Sequence, residues 1–239
     1  MCDAFDRKST GRRNVLRLGA GAFAAALAGA RRPAYAAEGA PTSLTPDEAL
    51  AQLKAGNQRY VSHPDLCSVD LAQQREEVAG HQAPWATIIS CADSRVPPEL
   101  IFGGHGLGEL FIARNAGNLV DTATLGTVEY GSAVLGSPLI VVLAHTGCGA
   151  VKAACDVVLK NATYPGAIGT MIEPILPAAL AARDEAGDYV TNTAKTSALR
   201  TAGRLPAEST LLSGLIKDGK LKIVAAIYDL DSGVVTYLG

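Results

Sequence analysis

Four short, continuous apolar runs constrain the fold of this chain more than any other feature of its sequence. They occupy residues 85–90, 110–113, 139–144 and 221–228. Continuous runs of this length, rich in Ile, Val and Leu, are typical of strands buried on both faces of a sheet. Helical segments separate them at 122–135, 151–159 and 171–183. This alternation predicts an α/β fold with a mostly parallel four-stranded sheet flanked by helices.

Short motifs mark the two ends of the predicted domain. Near its start, Thr45 is the expected N-cap of a helix, with Pro46 at the first helical position and Glu48 completing a capping box. Apolar residues then recur at helical spacing, namely Leu50, Leu53, Tyr60 and Val61. A second, short amphipathic helix is expected at 71–79. At the other end, the run at 233–238 follows a turn, which predicts an added antiparallel edge strand.

The first 36 residues have the pattern of an export signal. Arg12 and Arg13 precede an uncharged apolar run at 18–30, and the small-residue site Ala-Tyr-Ala follows at 34–36. The paired arginines resemble a twin-arginine signal, although Gly11 stands where Ser or Thr is usual. We expect a cleavable signal over 1–36 and a periplasmic or otherwise exported protein. An uncleaved anchor and a disordered basic tail are the alternatives.

The rest of the chain has the composition of one globular domain. The 239 residues are 48% hydrophobic and 18% charged, so a linker at 37–43 and a single domain at 44–239 account for them. The net charge of -2 leaves no basic surface for nucleic acid, because the basic residues cluster only near the N-terminus. We therefore expect no nucleic-acid partner, and no stable membrane association once the signal is removed.

Potential metal ligands follow two of the predicted strands. Cys91 and Asp93 come after the first strand, and His145 and Cys148 come after the third. The carboxyl ends of parallel strands share one edge of the sheet, where ligands bind in open α/β folds. Two thiols and an imidazole suit tetrahedral Zn²⁺. A helix that begins just after Cys148 would also favour its thiolate form.

These residues carry a resemblance to a known family. The segments "CADSRVP" at 91–97 and "HTGCGA" at 145–150 resemble the signature of the β-class carbonic anhydrases. Further segments are similar to bacterial members, at 44–60, 108–118, 168–179 and 221–235. The resemblance implies Cys91, His145 and Cys148 as permanent zinc ligands, Asp93 and Arg95 as the catalytic dyad, and Gln82 as a residue of the substrate pocket.

The dyad decides whether such a zinc site is catalytic. Zinc with four protein ligands is structural, whereas zinc with three and a water is catalytic. Asp93 is a possible fourth ligand in a closed state, and the planar fork of Arg95 can hold its carboxylate away from the metal. The resemblance then implies reversible hydration of carbon dioxide to bicarbonate and a proton, by attack of zinc-bound hydroxide. Hydrolysis of carbon disulfide or carbonyl sulfide is one alternative, and a noncatalytic zinc protein closed by Asp93 is another.

Several residues have more than one possible role. His105 is a candidate proton carrier or a solvent-exposed loop histidine. Cys67 and Cys155 are expected to be free, partly buried thiols, with a disulfide as the alternative. Arg114 and Asn115 are expected to follow the second strand and brace either the site or a subunit contact. The resemblance also implies that the first helix wraps a partner subunit in a homodimer or a larger homo-oligomer.

Overall fold

A five-stranded sheet lies at the centre of the structure. This computed structural model describes residues 40–63, 71–104 and 106–239. The strands are β1 (Ala86–Cys91), β2 (Leu110–Asn115), β3 (Leu139–His145), β4 (Lys222–Tyr228) and β5 (Val235–Leu238). They lie side by side in the order β2-β1-β3-β4-β5, with β5 antiparallel to β4 and the other pairs parallel. The predicted α/β fold, with its antiparallel edge strand, is confirmed.

Helices occupy most of the remaining described chain. They are α1 (Pro46–Ser62), α2 (Leu71–Glu77), α3 (Pro98–Ile101), α4 (Thr122–Glu129), α5 (Gly149–Lys160), α6 (Ala167–Ile172), α7 (Leu176–Ala181), α8 (Tyr189–Glu208) and α9 (Thr210–Lys217). A π-helical turn at Tyr130–Val134 continues α4, and a 3-10 turn at Glu173–Ile175 joins α6 to α7. Within the described ranges, each helix is too short or too polar to span a bilayer.

Three helical predictions need correction. The segment predicted as one helix at 122–135 ends its α-helix at Glu129 and goes on as a π-helical turn. The segment predicted at 171–183 is broken at the 3-10 turn that contains Pro174, because proline removes a backbone donor. The prediction assigns no helix to 189–217, where α8 and α9 lie. The buried face of α8 consists largely of Thr, Ala and Ser, so its helical periodicity is weak in hydrophobicity.

The first helix begins as predicted. The Thr45 hydroxyl accepts from the backbone N–H of Glu48 at 3.3 Å, and the Glu48 carboxylate accepts from the N–H of Thr45 at 2.8 Å. Leu53 is fully buried, but Val61 is 42% exposed, so the predicted apolar face does not reach the end of the helix. Buried Asn57 fixes α1 instead, since its amide accepts from the N–H of Val235 at 2.8 Å and donates to two backbone carbonyls.

Each face of the sheet is covered by its own hydrophobic core. Side chains of β3 alternate between the two cores, with Ile140, Val142 and Ala144 on one face and Leu139, Val141 and Leu143 on the other. The first core also contains residues of α5 and α8, and the second contains residues of α1 and α3. Burial on both faces explains the continuous apolar runs. Cys91 faces the first core, on the same side of the sheet as α5.

Candidate metal centre

The sheet brings the predicted metal ligands together. Cys91 is the last residue of β1 and His145 is the last residue of β3, and these two strands are parallel neighbours. Cys148 follows three residues after His145 as the N-cap of α5. The sulfur of Cys91, the imidazole of His145 and the sulfur of Cys148 all lie within 4.8 Å of one another. The predicted convergence at the carboxyl edge of the sheet is therefore present.

The spacing and burial of these three groups suit a tetrahedral metal ion. The two sulfurs are 3.9 Å apart. Two thiolates that each lie about 2.3 Å from one tetrahedral Zn²⁺ would be roughly 3.8 Å apart. All three residues are buried, with exposed fractions of 4% for Cys91, 0% for His145 and 1% for Cys148.

The histidine of the cluster is oriented for a metal. Nδ1 of His145 lies 2.8 Å from the carbonyl oxygen of Thr146, so this nitrogen carries the proton and donates it. Nε2 of His145 is buried and has no hydrogen-bond partner in the described part of the chain. A buried lone pair without a donor is costly unless a metal ion takes it. The donor set and this unpartnered nitrogen both fit Zn²⁺.

The two thiols share protons before a metal is bound. A hydrogen bond that the Cys148 thiol donates lowers the pKa of Cys91, and the N–H of Gly117 adds to this effect. The same contact with Cys91, together with burial, raises the pKa of Cys148. The two sulfurs therefore titrate as a coupled pair, and binding of a metal requires both of them as thiolates.

Asp93 lies beside the cluster and is held by Arg95. The carboxylate of Asp93 accepts from the backbone N–H of Arg95 at 3.0 Å, from its Nε at 2.9 Å and from its Nη2 at 2.7 Å. The second carboxylate oxygen lies 3.9 Å from Nε2 of His145. The hydrogen bonds from Arg95 hold the pKa of Asp93 well below its usual range. Asp93 is therefore an ionised carboxylate turned toward Arg95, within reach of the metal cluster.

The end of β2 and the residues just after it contact residues 91–93 at several atoms. Nε of Arg114 donates to the carbonyl of Cys91 at 2.9 Å, and Nη2 donates to the carbonyl of Asp93 at 2.7 Å. The backbone N–H of Gly117 points at the Cys91 sulfur at 3.4 Å. Arg114 and Asn115 are the last two residues of β2, so the prediction that they follow the strand is wrong by two residues. Sequence reasoning missed Gly117, whose only signal is a glycine in a turn.

The other predicted residues lie apart from the cluster or outside the described ranges. Gln82 is exposed in the loop that leads to β1, and no hydrogen bond joins it to the cluster within the described ranges. Cys155 is a free, buried thiol on α5 that donates to the Thr193 hydroxyl at 3.4 Å. His105, Cys67 and the predicted signal at 1–36 lie outside the described residues.

Comparisons with known proteins agree with this site. A family model described as carbonic anhydrase matches residues 86–235, which include every residue of the cluster. Carbonic anhydrase 2 of Mycobacterium tuberculosis is 40% identical over 196 residues, covering 80% of this chain and 92% of that protein. A carbonic anhydrase of Mycolicibacterium smegmatis is 34% identical over 190 residues, with the same coverage of 80% and 92%.

Solved structures share the same architecture. The Coccomyxa β-carbonic anhydrase in complex with acetazolamide is 27% identical, with a TM-score of 0.63 over 79% of this chain and 86% of that one. A tetrameric β-carbonic anhydrase of Sordaria macrospora has the same fold, at 23% identity and a TM-score of 0.63 over 80% of this chain and 95% of that one. On its sequence, its fold and its cluster, this chain belongs to the carbonic anhydrase family, in the β class.

Proposed function

We propose that this protein catalyses the reversible hydration of carbon dioxide to bicarbonate and a proton, with Zn²⁺ held by Cys91, His145 and Cys148. One observation carries the proposal beyond metal binding. Both carboxylate oxygens of Asp93 are taken by Arg95, although the carboxylate lies 3.9 Å from the imidazole of His145. A fourth protein ligand is thus available but is held away, which leaves a coordination position for solvent.

The residues around the cluster divide the chemistry between them. Zn²⁺ bound by three protein ligands lowers the pKa of a water ligand to roughly 7, which supplies a nucleophile near neutral pH. Asp93, ionised at that pH, would accept a hydrogen bond from the nucleophile. This contact would turn a lone pair of the nucleophile toward the substrate. Arg95 keeps Asp93 in place and ionised. Carbon dioxide needs no acid catalyst, so this set of groups is sufficient for the attack.

The alternatives are less well supported. A noncatalytic zinc protein requires Asp93 on the metal, and the bidentate contact with Arg95 opposes that arrangement. Hydrolysis of carbon disulfide or carbonyl sulfide would use the same metal and dyad, and no observation on this chain favours it. The sequence similarity to named carbonic anhydrases supports carbon dioxide as the substrate.

One experiment separates these functions. Zinc content and stopped-flow carbon dioxide hydration are measured for the wild-type protein and for Arg95→Ala, with the exposed Arg200→Ala as control. We expect stoichiometric zinc in all three proteins and an activity about 100-fold lower in Arg95→Ala only, since Asp93 is released. A zinc-loaded wild type that hydrates no carbon dioxide would overturn the proposal, and assays with carbonyl sulfide and carbon disulfide would then identify a hydrolase.

The location and assembly of the protein are part of the same proposal. The paired arginines at 12–13 and the small-residue site at 34–36 support twin-arginine export to the periplasm, with residues 44–239 as the catalytic domain and Gln82 as a residue of the substrate pocket. The tetrameric relative from Sordaria macrospora supports a homo-oligomer. Mass spectrometry of protein from the periplasmic fraction tests cleavage after residue 36, and light scattering tests the assembly.

A further inference from the structure

Arg114 donates hydrogen bonds to the backbone of residues 91–93, whereas Arg95 donates to the side chain of Asp93. Arg114 lies on β2, in register with Ser90 of the neighbouring strand β1. Its Nε donates to the carbonyl of Cys91 at 2.9 Å, and its Nη2 donates to the carbonyl of Asp93 at 2.7 Å. One planar guanidinium therefore bonds the backbone carbonyl of Cys91, a metal ligand of the cluster, and the backbone carbonyl of Asp93.

Neighbours of Arg114 hold the same turn. We name residues 114–119 the template loop. Within it, the carbonyl of Asn115 accepts from the N–H of Ala92 at 2.9 Å, and the N–H of Gly117 donates to the sulfur of Cys91 at 3.4 Å. The Asn115 side chain closes the loop through two hydrogen bonds with the backbone of Leu119, at 2.6 and 2.7 Å. The template loop is thus closed by its own hydrogen bonds, and it contacts residues 91–93 at four atoms.

The position of Asp93 depends on both ends of its side chain. Arg95 holds the carboxylate end, whereas the backbone sets the direction in which the side chain leaves the turn. Because the carboxylate lies 3.9 Å from Nε2 of His145, a small shift of the backbone is enough to alter its reach toward the metal. Misplacement of a catalytic group by about 1 Å can cost 100-fold in rate.

We propose that Arg114 is a positioning residue, which holds the backbone of Cys91 and Asp93 in the geometry that metal binding and proton acceptance require. It touches neither the carboxylate nor the metal ligand atoms, and it acts through the two carbonyls. The part of this role that concerns Asp93 rests on the proposed function, whereas the part that concerns Cys91 rests only on metal binding.

The chemistry of the contact requires arginine. A guanidinium presents several donors in a fixed plane, so it reaches two carbonyls at once. A lysine in this place keeps the charge but presents its donors from a single nitrogen, without the planar fork that spans the two carbonyls. Arg114 is also exposed in the described chain, so its replacement removes little buried surface. Its loss should therefore affect the site more than the stability of the fold.

The test compares Arg114→Met and Arg114→Lys with Arg200→Met, which removes an exposed arginine from α8. For each full-length protein we would measure kcat and KM per bound zinc, zinc retention against a chromophoric chelator, the visible spectrum after Co²⁺ substitution, the thermal midpoint and the mass in solution. We expect both Arg114 variants to lose about 10- to 100-fold in kcat per zinc, with KM changed less than about threefold. Their cobalt spectrum should change, while their thermal midpoint stays close to that of Arg200→Met.

Three results would overturn the inference. One is full activity in Arg114→Lys, which would mean that the fork is not needed. Another is a normal kcat per zinc in Arg114→Met. The third is an activity loss that accompanies dissociation of the assembly with an unchanged cobalt spectrum, because Arg114 would then serve a subunit contact. The proposed function fails separately, if wild type binds zinc but hydrates no carbon dioxide. In that case the positioning role is judged on metal binding alone, and unchanged cobalt spectra and zinc retention in Arg114→Met would overturn it.

Discussion

The candidate site is built from two chain segments that are held in different ways. We call residues 91–95 the β1 arm and residues 145–149 the β3 arm. The ligands of the β3 arm are buried, at 0% exposure for His145 and 1% for Cys148. The β1 arm begins with the buried Cys91, but it leads outward to the Arg95 side chain, which is 59% exposed.

Main-chain groups orient the ligands of the β3 arm, whereas arginine side chains add to the main-chain contacts of the β1 arm. The imidazole of His145 donates to a main-chain carbonyl, and the carbonyl of Cys148 accepts from the N–H of Lys152 in the first turn of α5. The β1 arm depends on the guanidinium groups of Arg95 and Arg114. Main-chain contacts persist when a side chain is replaced, whereas the contacts of Arg95 and Arg114 are lost when either arginine is replaced. The β3 arm therefore supplies two of the three metal ligands, and the β1 arm combines the third ligand, Cys91, with the groups of the proposed proton chemistry.

The largest expected effect on zinc affinity comes from removing a metal ligand of the β3 arm. Cys148→Ser removes one of two sulfurs that lie 3.9 Å apart, and a serine hydroxyl is a poor zinc ligand at neutral pH. We expect zinc affinity to fall by more than about 100-fold and carbon dioxide hydration to fall in proportion. Atomic absorption on dialysed protein measures the zinc. Cys155→Ser changes a buried thiol on the same helix and should keep stoichiometric zinc; equal zinc loss in both variants would contradict the assignment.

The second effect separates the two arms by function. Asp93→Asn keeps the shape of the side chain but removes the charge that Arg95 binds and that the proposed proton acceptance needs. We expect kcat to fall by about 100- to 1,000-fold while zinc content stays at the wild-type level. Asp156→Asn, which changes a half-buried, lysine-paired carboxylate on α5, is the control for loss of one carboxylate. Zinc loss in Asp93→Asn would show that Asp93 itself helps to hold the metal, and it would contradict the assignment of Asp93 to proton chemistry alone.

Much of the site follows from strand ends in the sequence. Continuous apolar runs predict strands that are buried on both faces, and parallel strands place their last residues at one edge. The sequence therefore predicts that Cys91, His145 and Cys148 converge, and the structure brings them within 4.8 Å. The contact between Asp93 and Arg95 is also predictable, because residues two apart at the end of a strand can meet without contacts from distant parts of the chain.

The support around the β1 arm could not be predicted in the same way. The fork of Arg114 reaches Cys91 and Asp93 only because β2 pairs with β1 in a particular register, which apolar runs do not specify. The contact from Gly117 to the Cys91 sulfur depends on the path of a turn. Helix α8 could not be predicted from the sequence for another reason, because its buried face of Thr, Ala and Ser lacks strong hydrophobic periodicity.

A third effect tests the template loop without changing a charge. Gly117 has φ of +88°, and an added Cβ would lie 3.0 Å from Cδ1 of the buried Ile175. Gly117→Ala should lower the free energy of unfolding by about 1–3 kcal/mol, because side chains are strained in this conformation, and it should weaken zinc retention through Cys91. Gly203→Ala, in open space on α8, should instead raise the free energy of unfolding by about 0.5–1 kcal/mol. Urea titration measures the free energy of unfolding of both variants. Unaltered stability in Gly117→Ala would contradict the strained conformation assigned to the template loop.

A fourth, smaller effect concerns the pH dependence of the β1 arm. Hydrogen bonds from Arg95 lower the pKa of Asp93 in the folded protein below its ordinary value of 3.8. A depressed folded pKa gives stability that is present above the unfolded pKa and is lost as the pH falls through the folded pKa. The stability advantage of wild type over Asp93→Asn should therefore be constant above about pH 5 and should shrink as the pH falls below 3.8. Urea unfolding from pH 7 to pH 3 measures the difference, and an advantage that grows toward low pH would contradict the contact.

The smallest effect is expected where a side chain next to a metal ligand is removed from the β3 arm. The Thr146 hydroxyl accepts from the N–H of Leu230 at 3.0 Å, but His145 is oriented by the main-chain carbonyl of Thr146, which valine retains. Thr146→Val should lower the free energy of unfolding by about 1 kcal/mol, for the loss of the hydrogen bonds that the hydroxyl makes with Leu230 and Asp229. Its zinc content and kcat should stay within about twofold of wild type, in contrast to Arg114→Met, because the backbone supplies the contact that orients the ligand. A tenfold loss of kcat in Thr146→Val would mean that side chains position the ligands of both arms, and the two arms would then not differ in how their ligands are held.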